Sequence, residues 1–116
     1  DIYNQINSSN THIKLRNINV IKDYLYIDDF CDAIHLILDK PLKNTIINLG
    51  SGIGEKSIDL IKIICKILNK DFSKLKILSE ESTSIKNILN TDLFMKEYNW
   101  TARTNIENGI YKWIKS

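Results

Sequence analysis

Short β-branched runs alternate with helical stripes along this chain. Residues 1–7 read as the last turns of a helix, and residues 8–11, Ser-Ser-Asn-Thr, as a polar turn. Ile13 and Leu15 alternate with Lys14 and Arg16, which predicts a short strand. The aromatic and β-branched run Asp23-Tyr24-Leu25-Tyr26-Ile27 predicts a second. Asp28 and Asp29 then open an amphipathic helix carrying Phe30, Ala33, Ile34, Ile37 and Leu38 on one stripe, which should stop before Pro41. Thr45–Leu49 predicts another strand, followed by the glycine loop Gly50-Ser51-Gly52-Ile53-Gly54. Ser57 is expected to cap a largely buried helix, in which Ile58, Leu60, Ile61, Ile63, Ile64, Ile67 and Leu68 cover most of the circumference. Leu75–Leu78 predicts a short strand, 79–84 a polar loop, and helices are expected near 91–98 and 105–115. Thr104 and Glu107 have capping-box spacing for the last of these. The order is α/β, in a single region covering residues 1–116.

Composition narrows the function classes. The 116 residues carry 16 basic and 14 acidic side chains, a net charge of +2 with the lysines dispersed, which gives no nucleic-acid footprint. No run of about 18 apolar residues predicts a membrane span, and no secretory leader is legible, so a cytoplasmic setting is expected. Cys31 and Cys65 sit in apolar helical patterns without C-x-x-C or His spacing and are expected to be reduced, buried thiols. No metal site is predicted. The sequence opens on Asp1 and holds one Met, Met95, so the chain is expected to be part of something longer.

Three motifs invite chemistry. Gly50–Ser57 approaches G-x-x-x-x-G-K-[ST], but Glu55 stands at the last glycine and brings a negative charge where phosphate should sit. The same Glu55 breaks G-x-G-x-x-G, leaving a strand-to-helix turn as the expected role. Tyr111 and Lys115 form Y-x-x-x-K at the extreme end of the chain, where helix packing by Ile110, Trp113 and Ile114 explains the stretch. His12 and His35 lack partners at ligand spacing.

The ordered constellation is more informative. Lys22-Asp23-Tyr24-Leu25-Tyr26-Ile27-Asp28-Asp29 with Ala33 resembles the R-D-[FY]-x-[YH]-V-x-D-x-x-x-A segment of the extended short-chain dehydrogenase/reductase family, the NAD-dependent nucleotide-sugar epimerases and dehydratases. Ile47-Asn48-Leu49-Gly50-Ser51-Gly52 is similar to the family's [FY]-N-[LI]-G-[SA]-G, and Ser57–Leu60 to the start of its next helix. Leu89–Asp92 leading to Tyr98-Asn99-Trp100 is similar to A-D-x-S-K-A-x-x-x-L-G-W, and Ile106–Ile110 with Trp113 to the family's closing segment. Leu15-Arg16-Asn17-Ile18 resembles an L-G-N-L variant of dehydratase-like members.

The resemblance implies the C-terminal part of an extended Rossmann-type enzyme. It implies NAD or NADP on an N-terminal Rossmann half that also carries the catalytic Y-x-x-x-K, with no cofactor bound by this chain alone. A nucleotide-diphosphate sugar is the implied substrate, UDP-glucose 4-epimerase-like chemistry the implied reaction, and a homodimer the implied assembly. Lys22, Tyr24, Asn48 and Lys86 are the substrate-binding residues it implies; Lys22 stands where the family has a diphosphate-binding Arg. A second family Arg has no counterpart among Ser79, Glu80 and Glu81, with Lys86 the nearest cation. Ile47 replaces a family aromatic. A reductase, a catalytically silent member of the same superfamily and a free-standing anion-binding scaffold remain open as alternatives.

Overall fold

The computed structural model describes residues 2–8, 11–42 and 46–116. Helix α1 (Ile2–Asn7) leads to strand β1 (His12–Asn17), whose alternating side chains bury Ile13. Strand β2 (Val20–Asp23) follows after a two-residue turn, then helix α2 (Ile27–Asp39). Strand β3 (Gly54–Lys56) runs straight into helix α3 (Ser57–Ile67), and a 3-10 turn at Phe72–Lys74 leads to strand β4 (Lys76–Glu81). Strand β5 (Ile85–Asn87) and helices α4 (Asp92–Tyr98) and α5 (Ile106–Lys115) complete the chain. β1 and β4 pair in parallel. β2 is the centre of a second sheet, antiparallel to β3 and parallel to β5.

Two apolar clusters hold these elements. One joins Ile6, Ile13, Ile61, Ile64, Cys65 and Ile110, so that α3 packs on α1, β1 and α5. The other centres on Ala33, Phe94 and Trp100, with Phe94 and Trp100 edge to face at 5.2 Å. Asn99 ends α4 in the left-handed conformation at φ 48°, which places an Asn where the resembling motif has Gly. The radius of gyration is 16.7 Å and the extents 50 × 33 × 16 Å, a thin slab beside the roughly 13 Å radius of a compact domain this long. Its accessible surface of 8118 Å² exceeds the roughly 6,500 Å² typical of a monomer of this mass.

Most predicted elements are present, and the departures have physical reasons. The strand expected over Asp23–Ile27 lies earlier, at Val20–Asp23; Tyr24–Tyr26 belong to no strand, and Ile27 already belongs to α2. The strand expected over Thr45–Leu49 does not form over 46–49, because no described strand lies alongside to share its hydrogen bonds; Ile46 is 94% exposed. Thr45 lies outside the described residues, as do Ser9 and Asn10 of the predicted 8–11 turn. The 79–84 loop is shorter than the sequence predicts, since β4 runs to Glu81, and β5 is a strand that no local pattern predicts. Ser57 does not cap α3: its hydroxyl donates to the Val20 carbonyl at 3.3 Å. The last helix is capped by Asn105, which accepts from the Asn108 amide at 2.9 Å. Thr104 instead serves the buried Asp29, whose carboxylate accepts from the Arg103 and Thr104 amides and the Thr104 hydroxyl. Cys65 is buried as expected, and burial pushes its thiol up; Cys31 is exposed because it lies off the apolar stripe of α2.

Candidate functional site

Strand β2 organises the one place among the described residues where two of the predicted substrate residues come together. Ile21 and Lys22 pair with both β3 and β5, Asp23 pairs with Gly54 of β3, and the successive side chains of Lys22 and Asp23 leave opposite faces of the sheet with opposite consequences. Asp23 turns inward. Its Oδ1 accepts from the Ser51 amide at 2.8 Å and the Ser51 hydroxyl at 2.6 Å; its Oδ2 accepts from the Gly52 amide at 2.8 Å and the Leu89 amide at 3.4 Å. Burial pushes this carboxyl up, but the Ser51, Gly52 and Leu89 donors outweigh it and hold Asp23 below the usual carboxylate range.

This arrangement explains the glycine loop. A Cβ on Gly50 would lie 2.8 Å from Asp23 Oδ2 and from Leu89 Cδ1, and Gly52 sits at φ +74°. The loop is an anion nest, and its anion is Asp23. The amides that a P-loop would offer to phosphate are therefore already occupied, in agreement with the mismatch at Glu55.

Lys22 turns the other way, into an open cleft of about 480 Å³ between β1, β2 and β5. Arg16, Lys22, Tyr24, Ser57, Glu81 and Ile85 are among its walls. Among the described residues neither Lys22 nor the Tyr24 hydroxyl has a hydrogen-bond partner. Tyr24 is 41% exposed, and burial of the rest pushes its hydroxyl up, so it stays a protonated donor at neutral pH. Arg16 Nε bonds Glu81 Oε1 at 2.9 Å, and that hydrogen bond and charge raise the guanidinium further, so it is permanently cationic. The Ser57 hydroxyl is committed to Val20. The cleft thus presents two cations, one carboxylate and one phenol, a set suited to a polyanionic ligand.

The other two predicted residues lie elsewhere. Asn48 donates to the Asn90 carbonyl at 3.2 Å, tying the unpaired 46–49 segment to the approach of α4. Lys86 pairs with Ile21 in the β2–β5 ladder whereas Lys22 pairs with Asn87, so Lys86 and Lys22 belong to opposite faces of the sheet. In the sequence Arg16 stands out only as a polar position of a predicted strand and within Leu15-Arg16-Asn17-Ile18; the signal that lifts it is spatial, since β1 and β2 both wall the cleft.

A second, smaller cleft of about 180 Å³ is aromatic, lined by Tyr24, Tyr26, Gly109 and Trp113. Lys112 Nζ lies 5.2 Å from the centre of the Tyr26 ring. Tyr111, of the Y-x-x-x-K coincidence, is exposed on α5. Among the described residues no three His, Cys, Asp or Glu side chains gather to hold a metal, and no helix is long and apolar enough to cross a membrane.

Comparison with known proteins extends this picture. No family model matches the chain. It is 28% identical over 93 residues to a trifunctional UDP-glucose 4,6-dehydratase/UDP-4-keto-6-deoxy-D-glucose 3,5-epimerase/UDP-4-keto-L-rhamnose-reductase of Arabidopsis thaliana, covering 79% of this chain and 14% of the plant protein. It is 31% identical over 55 residues to GDP-6-deoxy-D-talose 4-dehydrogenase of Aggregatibacter actinomycetemcomitans, covering 47% of this chain and 19% of that enzyme. Among solved structures, dTDP-glucose 4,6-dehydratase of Bacillus anthracis, in complex with NAD, superposes with a TM-score of 0.82 at 16% identity. That superposition covers 98% of this chain and 36% of the bacterial enzyme. The chain therefore spans little more than a third of the solved relative and less of the curated ones.

Proposed function

We propose that the chain belongs to the extended short-chain dehydrogenase/reductase family, as the C-terminal portion of one of its nucleotide-sugar enzymes, and that it supplies the substrate side of an NAD(P)-dependent nucleotide-sugar epimerase or dehydratase; the likeness to the plant trifunctional enzyme and to the Bacillus anthracis dehydratase structure supports this. The observation that carries this is the cleft beside β2, where Lys22 and Tyr24 stand without protein partners in a cationic setting. Lys22 is the phosphate-facing cation of this reading, and Tyr24 a neutral donor beside it. The glycine loop takes no part, since Asp23 fills it.

A preceding Rossmann half would bring the dinucleotide, which supplies hydride chemistry when bound, and the proton-transferring Tyr and Lys. The surface in excess of a compact monomer and the unpaired 46–49 segment support such a neighbour. On this reading the chain alone binds no dinucleotide and turns nothing over, and the whole enzyme is a homodimer. UDP-glucose 4-epimerase-like chemistry is the first choice of reaction.

Binding measurements on the whole enzyme test the assignment. Lys22→Ala should weaken nucleotide-sugar binding by about 1.5–3 kcal/mol, the usual worth of a charged hydrogen bond, and leave NAD affinity unchanged. Lys22→Arg should bind as well or better, because a guanidinium can meet phosphate through two parallel bonds. Equal nucleotide-sugar affinity in wild type and Lys22→Ala would sink the assignment.

A second reading, an oxidoreductase acting on a deoxysugar nucleotide, is favoured by the likeness to the talose dehydrogenase. Oxidation of NADPH by a 4-keto sugar nucleotide, without dehydration of the parent sugar, would select it.

A further inference from the structure

Lys22 shares its cleft with a second cation whose engagement is partial. Arg16, on β1, uses Nε to bond Glu81 Oε1 at 2.9 Å. A guanidinium offers donors along more than one edge, and the recorded bond uses Nε alone. The Arg16 side chain is 84% exposed, so its remaining donors are open to solvent and to a ligand. Glu81, in contrast, is held in place. It closes β4 in register with Asn17, and the loop just after it is tied down by Asn17 Nδ2 on the Thr83 carbonyl and Asn19 Nδ2 on the Ser82 carbonyl. The backbone that carries the carboxylate is thus anchored, which places Glu81 to orient the arginine.

We propose that Arg16 is the second phosphate-binding cation of this cleft, oriented through Nε by Glu81 and meeting a nucleoside diphosphate with its remaining amino groups, while Lys22 meets the same diphosphate from β2. This rests on the phosphate-side reading of the cleft given above. A diphosphate presents two adjacent anionic groups, and a cation from each of two neighbouring strands matches that pattern better than one lysine does. Glu81 has two opposing effects: it orders the arginine, and its charge repels phosphate. Glu81→Gln keeps an oxygen acceptor for Arg16 Nε and removes the repulsion.

Titration of the 116-residue chain with UDP, followed by nuclear magnetic resonance, separates these roles. UDP and inorganic pyrophosphate should shift the resonances of Arg16, Lys22 and Tyr24 and compete with each other, whereas uridine should not. Arg16→Gln should raise the dissociation constant for UDP about 5–20-fold, the range of one charge-assisted bond, and Arg16→Lys should restore only part of it. Glu81→Gln should lower it about 2–5-fold, as expected on removing a like charge from the site. All three side chains are exposed, so an unchanged amide spectrum away from the cleft will show that the variants remain folded. If Lys22→Ala weakens UDP binding and Arg16→Gln does not, this inference falls and the reading of the cleft stands. If UDP moves no cleft resonance at about 10 mM, where even a millimolar site would fill, both fall.

Discussion

Lys22 and Asp23 are neighbours on one strand, and the fold uses their charges in opposite ways. Asp23 is spent on structure: four donors converge on its carboxylate and stitch β2 to the glycine loop and to the segment before α4. Lys22 has no hydrogen-bond partner among the described residues and faces a cleft with another cation nearby. A charged group whose bonding capacity is filled by the protein has little left for a ligand, while one held open by its strand can engage a ligand without first breaking a bond within the protein. The difference separates the two anion-binding candidates that sequence offers here, the glycine loop and the basic strand end. Only the second is available to a phosphate.

The comparison breaks most sharply at Asp23. Asp23→Ala should destabilise the chain by about 2–3 kcal/mol, because it leaves the Ser51 and Gly52 amides without their acceptor in a part-buried loop. Chemical unfolding of the 116-residue chain measures this directly. A loss below about 0.5 kcal/mol, the range of an ordinary surface substitution, would mean that water replaces the carboxylate and that the loop amides are after all open to other anions.

A smaller effect follows from titration of the same group. Asp23 is held below the usual carboxylate range in the folded chain, so between its folded and unfolded pKa values the unfolded chain binds more protons. Its stabilisation is therefore complete above the ordinary carboxylate pKa of about 4 and disappears as pH falls through the lower folded value. Asp23→Asn should flatten the fall of stability in that acid window. An unchanged slope in the variant would assign acid sensitivity to other carboxylates, among which Asp71 is also depressed, by its bonds from Ser73.

How far the sequence discloses this difference depends on the range of the interaction. α2, α4 and α5 are legible because their apolar spacing is local and their own residues satisfy most of their hydrogen bonds, and β1 because its apolar and polar side chains alternate, although its partner β4 lies far along the chain. Ile46–Leu49 has the composition of a strand but needs a partner that no described residue provides. β3 and β5 are three residues each, and they exist because β2 lies between them, a pairing that joins positions more than 30 residues apart. Composition cannot reveal such elements. The site divides the same way. Lys22 and Tyr24 stand out through the motif they share, whereas Arg16 gains meaning only once β1 and β2 wall one cleft. Nothing in the spacing of Asp23 and Ser51, 28 positions apart, announces that one carboxylate fills the glycine loop.

The smallest expected effect is the complement of the largest. Lys22 is exposed, contributes no hydrogen bond to another described side chain, and sits in a strand whose pairing is carried by its backbone. Lys22→Ala removes a flexible stem that covers little apolar surface, and the replacement is only modestly less suited to a strand. Unfolding free energy should therefore move by no more than about 0.5 kcal/mol, the usual span for surface positions away from special features. The value of this near-silence lies in its pairing with the binding result. A residue that contributes to ligand affinity and not to stability has been left open by the fold, whereas Asp23 should show the reverse. A loss of more than about 1 kcal/mol on Lys22→Ala would show that the lysine has a structural partner, and its unpaired state, on which the reading of the cleft depends, would be lost with it.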